Sequence, residues 1–290
     1  MPEPQDISRK AHKEGSLAAK RFRLPFGSRA WQGVSGSWMG MGTGSSIDFQ
    51  DHRDYQWGDD PRAIHWAAYA RTGQLSMKLF RAELSPLVDI VIDTSSSMSL
   101  TEEKALAAEA LLFFCLANTD QAGAPVCVHA VNGKSIIPIE IDALRNGAWK
   151  KRLPETPSST LIPSIPTWKP NCLHILISDL LFPGDPAPLL AQMTAGKGLS
   201  MILAPSIMEE SRIDDTGNFR LVDCETGEAI QKLISPSVVK KYVQAYNTHF
   251  ALWREACRRR GLLFAQVKGN IPLSSALAEE ALHSGIVDAY

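Results

Sequence analysis

No run of about 18 consecutive apolar residues occurs anywhere in the 290-residue chain, so no membrane-spanning helix is expected. The nearest approach, Ala105 to Ala117, is interrupted by Glu109. The N-terminus has no apolar stretch of signal-peptide length, which points to a cytoplasmic protein. Cysteines are few and unpaired in pattern. Cys115, Cys127, Cys172, Cys224 and Cys257 are odd in number and include no C-x-x-C pair, so reduced core thiols are expected rather than a disulfide framework or a zinc site. Charge of neither sign dominates: the formal net charge of −1 argues against nucleic acid as a bulk electrostatic partner. The glycine-rich stretch 31–50 lacks the Gly-Lys-Ser/Thr ending of a nucleotide-phosphate loop, and no G-x-S-x-G elbow exists for a serine hydrolase.

What is present centres on Val88-Asp89-Ile90-Val91-Ile92-Asp93-Thr94-Ser95-Ser96-Ser97-Met98. The β-branched run Val88 to Ile92 reads as a strand buried on both faces of a parallel sheet. Thr101 then opens a helix, with Glu102 and Glu103 in its first turn and apolar residues at Leu106, Ala110, Phe113, Phe114 and Ala117. Asp93 therefore stands at the carboxyl end of a strand, the edge where open α/β sheets bind ligands. One carboxylate and two hydroxyls at i, i+2 and i+4 suit Mg²⁺ or a similar hard cation. The same residues also suit a turn followed by a helix N-cap. A second apolar strand, Cys172 to Ser178, again ends in an aspartate, Asp179.

In chain order, residues 1–30 read as a basic, partly helical solvated arm, with contact to an anionic membrane surface as an alternative. Residues 31–85 read as a small β-rich subdomain with a short helix starting near Pro61, and residues 86–290 as the α/β domain. Pro125 to Val131 and Ser135 to Ile139 form a hairpin around Asn132-Gly133, and Asp142 caps a helix to about Lys151. Strands at Leu199 to Ala204 and Leu262 to Val267 bracket a polar excursion, Glu209 to Glu228, and a long helix, Ser237 to Arg260, stopped by Gly261. Glu209, Glu210, Asp214 and Asp215 read as a solvated charge run. Alternating strands and long crossovers give a doubly wound, mostly parallel sheet.

The segment 51–71 is dense in charged and aromatic residues. Its arginines can pair with Asp54, Asp59 or Asp60 under the cover of two tryptophans, so a structural clasp of Arg53, Tyr55, Gly58, Asp59, Arg62, Trp66 and Arg71 is expected. Arg53-x-Tyr55-x-x-Gly58-Asp59-Asp60-x-Arg62-x-Ile64-x-Trp66-x-x-x-Ala70-Arg71, followed by Asp93-x-Ser95-x-Ser97-Met98, resembles the bacterial domain of unknown function 58 family, with His65 where an acid is common, and the likeness extends through Leu221-Val222-Asp223-x-Glu225-Thr226-Gly227 to cover roughly residues 20–285. The D-x-S-x-S element itself resembles the metal-ion-dependent adhesion site of von Willebrand factor A domains. That resemblance implies a von Willebrand factor A-like, Rossmann-like fold with Asp93, Ser95, Ser97, Thr160 and Asp179 around Mg²⁺, or Mn²⁺ or Ca²⁺. It further implies an acidic side chain of a protein ligand completing the metal shell, and a MoxR-type AAA+ ATPase as partner. On this account the chain is a binding module and not an enzyme. The alternatives are a phosphotransferase using the strand-end aspartate and a scaffold whose metal site is vestigial.

Overall fold

The computed structural model describes residues 4–26, 47–56, 64–82, 87–145, 147–153, 163–170, 172–196, 198–213 and 215–290. Thr160, Gly58, Asp59 and Arg62, and the glycine-rich residues 31–46, lie outside that set. The chain forms two compact units, residues 1–36 with 86–290 and residues 37–85. In order, the elements are α1 (Pro4–Ala18), β1 (Phe22–Arg23), β2 (Ile47–Asp54), α2 (Trp66–Thr72), β3 (Ser76–Ala82), β4 (Val88–Asp93), α3 (Glu102–Gln121), β5 (Val126–Asn132), β6 (Ser135–Ile139), α4 (Ile141–Arg145), β7 (Leu173–Ile177), α5 (Ala187–Thr194), β8 (Leu199–Ser206), α6 (Met208–Ser211), β9 (Gly217–Val222), β10 (Ala229–Ile234), α7 (Pro236–Arg259), β11 (Leu263–Lys268), α8 (Leu273–Ala276) and β12 (Asp288–Ala289).

Six strands of the larger unit make a mixed α/β core in the order β11-β8-β7-β4-β5-β6, parallel except for β6. Helices cover both faces, which is why β4 and β7 are apolar at almost every position. Ile90, Ile92, Ile175 and Leu203 pack beneath α3 and α8, while Val91, Leu176 and Ile202 meet Phe250 and Trp253 of α7. The architecture is compatible with a Rossmann-like fold. From β4 the chain winds outward to β5 and β6, then returns to place β7, β8 and β11 on the other side. The switch in winding direction falls between β4 and β7, where such sheets open a crevice at their carboxyl edge. Among the described residues, no helix is long and apolar enough to cross a membrane.

The N-terminal segment is not a solvated arm. Helix α1 lies along α3, burying Ala11, Ala18 and Ala19, and the chain after it buries Phe22 and Leu24. Its basic residues occupy the outer face, so their charge did not foretell the apolar stripe beneath. Ser8 Oγ donates to Glu109 Oε2 at 2.7 Å, and Leu24 N–H donates to Asn118 Oδ1 at 2.9 Å. Those contacts also explain why α3 is apolar nearly all round: it lies between the sheet and α1. Gly15 permits the close approach, since a Cβ there would lie 2.6 Å from the Ala110 carbonyl oxygen and from Phe114 N. Gly15→Ala is expected to cost about 1–3 kcal/mol through forced separation of the two helices. Chemical denaturation of the variant reads that loss directly.

One further correction concerns a local element. The helix expected from Asp142 to Lys151 ends at Arg145, because Gly147 takes a left-handed conformation (φ 72°) and the chain resumes as a 3₁₀ turn, Ala148–Arg152. In the smaller unit, β2 and β3 pair antiparallel with an irregularity between Phe49 and Asp51, Arg53 opposing Met77. Tyr55 N–H donates to the Leu75 carbonyl at 3.0 Å. Trp66 is 59% exposed and meets Tyr69 edge-on. The Arg71 Nε donates to the Ala67 carbonyl one turn back in α2. His65 instead caps that helix, its Nδ1 accepting from Ala68 N–H at 3.0 Å, which accounts for a histidine where an acid would also serve.

Candidate functional site at the carboxyl edge of β4 and β7

Asp93 ends β4 and is 4% exposed. Its Oδ1 accepts from Ser95 N–H at 2.9 Å, the short turn that lifts the chain off the sheet, and its Oδ2 accepts from Ser178 O–H at 2.8 Å. The chain then tightens into a 3₁₀ turn, Ser96–Ser99, anchored by buried Met98, before Thr101 caps α3 by accepting from Lys104 N–H at 3.2 Å. This turn sets the Ser95 and Ser97 hydroxyls 3.1 Å apart. Asp179, just past β7, accepts from Leu181 N–H through Oδ1 at 3.0 Å. Leu180 between them holds φ at 58°, a left-handed conformation unfavourable for leucine, and its carbonyl accepts from His249 Nε2–H at 2.8 Å.

A cavity of about 530 Å³ opens over these groups, lined by Asp93, Ser95, Ser97, Lys104, Asp179, Glu210 and Glu225. Asp93, Ser95, Ser97 and Asp179 are thus brought together as the D-x-S-x-S reading requires.

Three members of the cavity were not anticipated. Lys104, the one basic residue in the core-facing part of α3, is completely buried, and its Nζ meets Asp179 Oδ2 at 2.5 Å and also Glu210 Oε1. Glu210 is therefore not part of a solvated charge run. It is buried, its Oε2 accepts from Ile207 N–H at 3.1 Å, and Tyr242 O–H donates to its carbonyl at 2.7 Å. Glu225, in the turn between β9 and β10, accepts from Ser97 N–H at 2.7 Å and Ser96 N–H at 3.1 Å. A lone lysine among the apolar positions of α3 was the available signal for a buried carboxylate partner. Nothing local marked Glu210, whose partner lies 106 positions away, whereas Glu225 stands in the Leu221 to Gly227 motif of the family resemblance but reaches its partners across 128 and 129 positions.

The electrostatics follow from this crowding. Burial, then repulsion from Asp179, pushes the Asp93 carboxyl up to about 6, against the lowering effect of its Ser95 and Ser178 hydrogen bonds. Burial alone would pull the Lys104 ammonium down, but Asp179 and Glu210 together hold it above its ordinary value. Five carboxylates, those of Asp93, Asp179, Glu210, Asp223 and Glu225, and one ammonium around a single cavity leave it short of positive charge. The Asp93 carboxylate with two adjacent hydroxyls is a hard-oxygen set that fits a divalent cation of the Mg²⁺ kind. Asp179 shares its charge with Lys104, so it fits an outer position better than a direct one.

Residues 51–147 match the family model described as Protein of unknown function DUF58, a stretch that holds Asp93, Ser95 and Ser97 but ends before Asp179. No curated protein matches the chain.

Proposed function

With residues 51–147 belonging to the domain of unknown function 58 family, we propose that the chain is a divalent-cation-dependent protein-binding module of von Willebrand factor A type. Asp93, Ser95 and Ser97 would hold Mg²⁺, or Mn²⁺ or Ca²⁺, with Asp179 behind them and Thr160 or a neighbouring hydroxyl as a further ligand. When bound, the cation supplies an incompletely neutralised positive centre that favours a carboxylate. Glu225 carries the proposal. Its carboxylate, borne on a separate hairpin, already accepts from two backbone N–H groups of the D-x-S-x-S loop, so this loop receives a carboxylate despite the acids around it. An acidic side chain of a partner would compete with Glu225 or join it.

The mouth of the cavity favours a macromolecular ligand over a small one. Leu100, Leu181 and Val222 line it and are 55%, 39% and 59% exposed, an apolar rim around a polar centre. The family resemblance suggests a MoxR-type AAA+ ATPase as partner, with the chain as its cytoplasmic adaptor. Binding without turnover is the reading for the Asp93 edge: both Asp93 oxygens accept protein hydrogen bonds, and Ser95 stands where an aspartyl-phosphate enzyme commonly carries a second aspartate.

Glu225→Ala is expected to strengthen Mg²⁺-dependent capture of a MoxR-type ATPase by about tenfold, the equivalent of one charge-assisted hydrogen bond. Chelation should abolish capture in both proteins. Capture indifferent to chelation, or phosphatase turnover lost in Asp93→Asn, would overturn the proposal.

A further inference from the structure

At the other end of the same strands lies a second polar cluster. Asp89 of β4 is in register with Cys127 of β5 and His174 of β7, and His174 is in register with Ser200 of β8. Partners in register share a face of the sheet, so four polar side chains cross strands that are otherwise apolar. Cys172, immediately before β7, joins them. Asp89, Cys172 and His174 are 3%, 1% and 0% exposed, and one ligand atom from each lies within 4.8 Å of the others.

The Lys169 ammonium stands beside this cluster, its Nζ on the Cys127 sulfur at 2.9 Å and its charge acting on Asp89 and Cys172. Asp89 Oδ2 accepts from Lys169 N–H at 3.1 Å, but its buried Oδ1 has no partner among the described residues. Ser200 O–H gives its single hydrogen to the Met193 carbonyl at 2.8 Å. With the proton on His174 Nδ1 the Ser200 oxygen accepts at 3.2 Å, and with the proton on Nε2 the ring donates to the Lys169 carbonyl at 2.9 Å. The ring is wholly buried and stacked on Trp168 at 4.6 Å, surroundings that favour its neutral, singly protonated form. Metal binding through Nε2 requires the Nδ1–H form, in which the Nε2 lone pair is on the side of the Lys169 carbonyl oxygen, 2.9 Å away. The Cys172 thiol donates to the Pro170 carbonyl at 3.4 Å, so Asp89 Oδ1 is left as the unpartnered acceptor of the cluster among the described residues.

We propose that Asp89, Cys172 and His174 form a buried transition-metal site, best suited to Zn²⁺, at the amino edge of the central sheet. A thiolate, an imidazole and a carboxylate are the ligand types of zinc and are too soft a set for Mg²⁺. For the three atoms to reach one ion at bond lengths of about 2.0–2.3 Å, the Lys169 carbonyl, 2.9 Å from Nε2, has to turn aside as the side chains close in. The chain Nδ1–H to Ser200 to the Met193 carbonyl fixes the ring with Nε2 toward the metal, the kind of outer hydrogen bond such histidines carry. Cys127, whose sulfur meets Lys169 Nζ at 2.9 Å, is the nearest further thiol and the candidate fourth ligand. Burial of all three residues makes the site closed, so its role is to clamp β4, β7 and the Trp168–Cys172 segment together.

The test uses the full-length protein purified without chelator, its metal content measured by mass spectrometry, then stripped and titrated with Co²⁺. The expected result is one Zn²⁺ per chain as purified. After stripping, one Co²⁺ should bind with a thiolate charge-transfer band and tetrahedral ligand-field bands. Cys172→Ser should lose the charge-transfer band, and Asp89→Asn, nearly isosteric, should weaken Co²⁺ by about tenfold or more. Cys257→Ser, a buried cysteine outside the cluster, should retain the charge-transfer band and wild-type Co²⁺ affinity. A folded wild type that takes up no Co²⁺, or a charge-transfer band that persists in Cys172→Ser, would overturn the site.

Discussion

Lys104→Met is expected to destabilise the larger unit by about 3–5 kcal/mol, the cost of breaking a buried ion pair from one side. The lysine is 0% exposed and faces two carboxylates that are nearly as buried, at Asp179 and Glu210. Methionine fills the volume of the aliphatic stem, so little of the loss comes from a cavity. What remains is two uncompensated acids in a low-dielectric pocket, beside an Asp93 already pushed up by burial and by Asp179. Adding Glu210→Gln to Lys104→Met removes one of those charges and should recover part of the loss, a coupling that a double-mutant cycle measures. Denaturant midpoints for the four proteins decide the matter. A loss under about 1 kcal/mol in the single variant, typical of exposed pairs, would show that Lys104 is not the neutralising centre of the site.

Asp93→Asn should act in the opposite direction. In the folded chain Asp93 holds its proton up to about pH 6, whereas an ordinary aspartate releases it near 3.8. Between those values the folded state binds more protons than the unfolded one, so stability falls as pH rises through the window. Above it the full penalty applies, on the order of 3 kcal/mol by linkage. Asparagine keeps the acceptor for Ser95 N–H and can donate to the Ser178 oxygen, so the local geometry survives while the charge is removed. The variant should therefore match wild type near pH 4 and exceed it by about 2–3 kcal/mol at pH 7 without divalent cation. Saturating Mg²⁺ should close the gap by stabilising only the wild type. Equal stability at pH 7 in chelator would mean that Asp93 carries no electrostatic strain.

Much of the architecture was legible because it is written in short-range pattern. The β-branched runs ending at Asp93 and Asp179, the Thr101 cap with its following acids, and the Gly261 stop, at φ 71°, each depend on neighbours in sequence. The parts that were not legible depend on partners far away. Helix α1 looked solvated because its basic face is outward, and only α3, about a hundred residues on, supplies the surface that buries Ala11 and Ala18. Glu210 looked like part of an exposed acidic run until Lys104 drew it inside. The cluster at the amino edge was hidden for a different reason: Asp89 and His174 sit inside runs that read as continuous apolar strands, and Cys172 has no cysteine at metal-ligand spacing beside it. Register across parallel strands, which no local window contains, puts the three together.

The most direct test of the cation site is a Mn²⁺ titration of the wild type and Asp93→Asn, followed by electron paramagnetic resonance of the free ion at pH 7.5 and pH 5.5. The account predicts one saturable site in the wild type, weaker at the lower pH where protons hold Asp93, and no such site in the variant. Mn²⁺ bound equally by both proteins, or by neither, would contradict it.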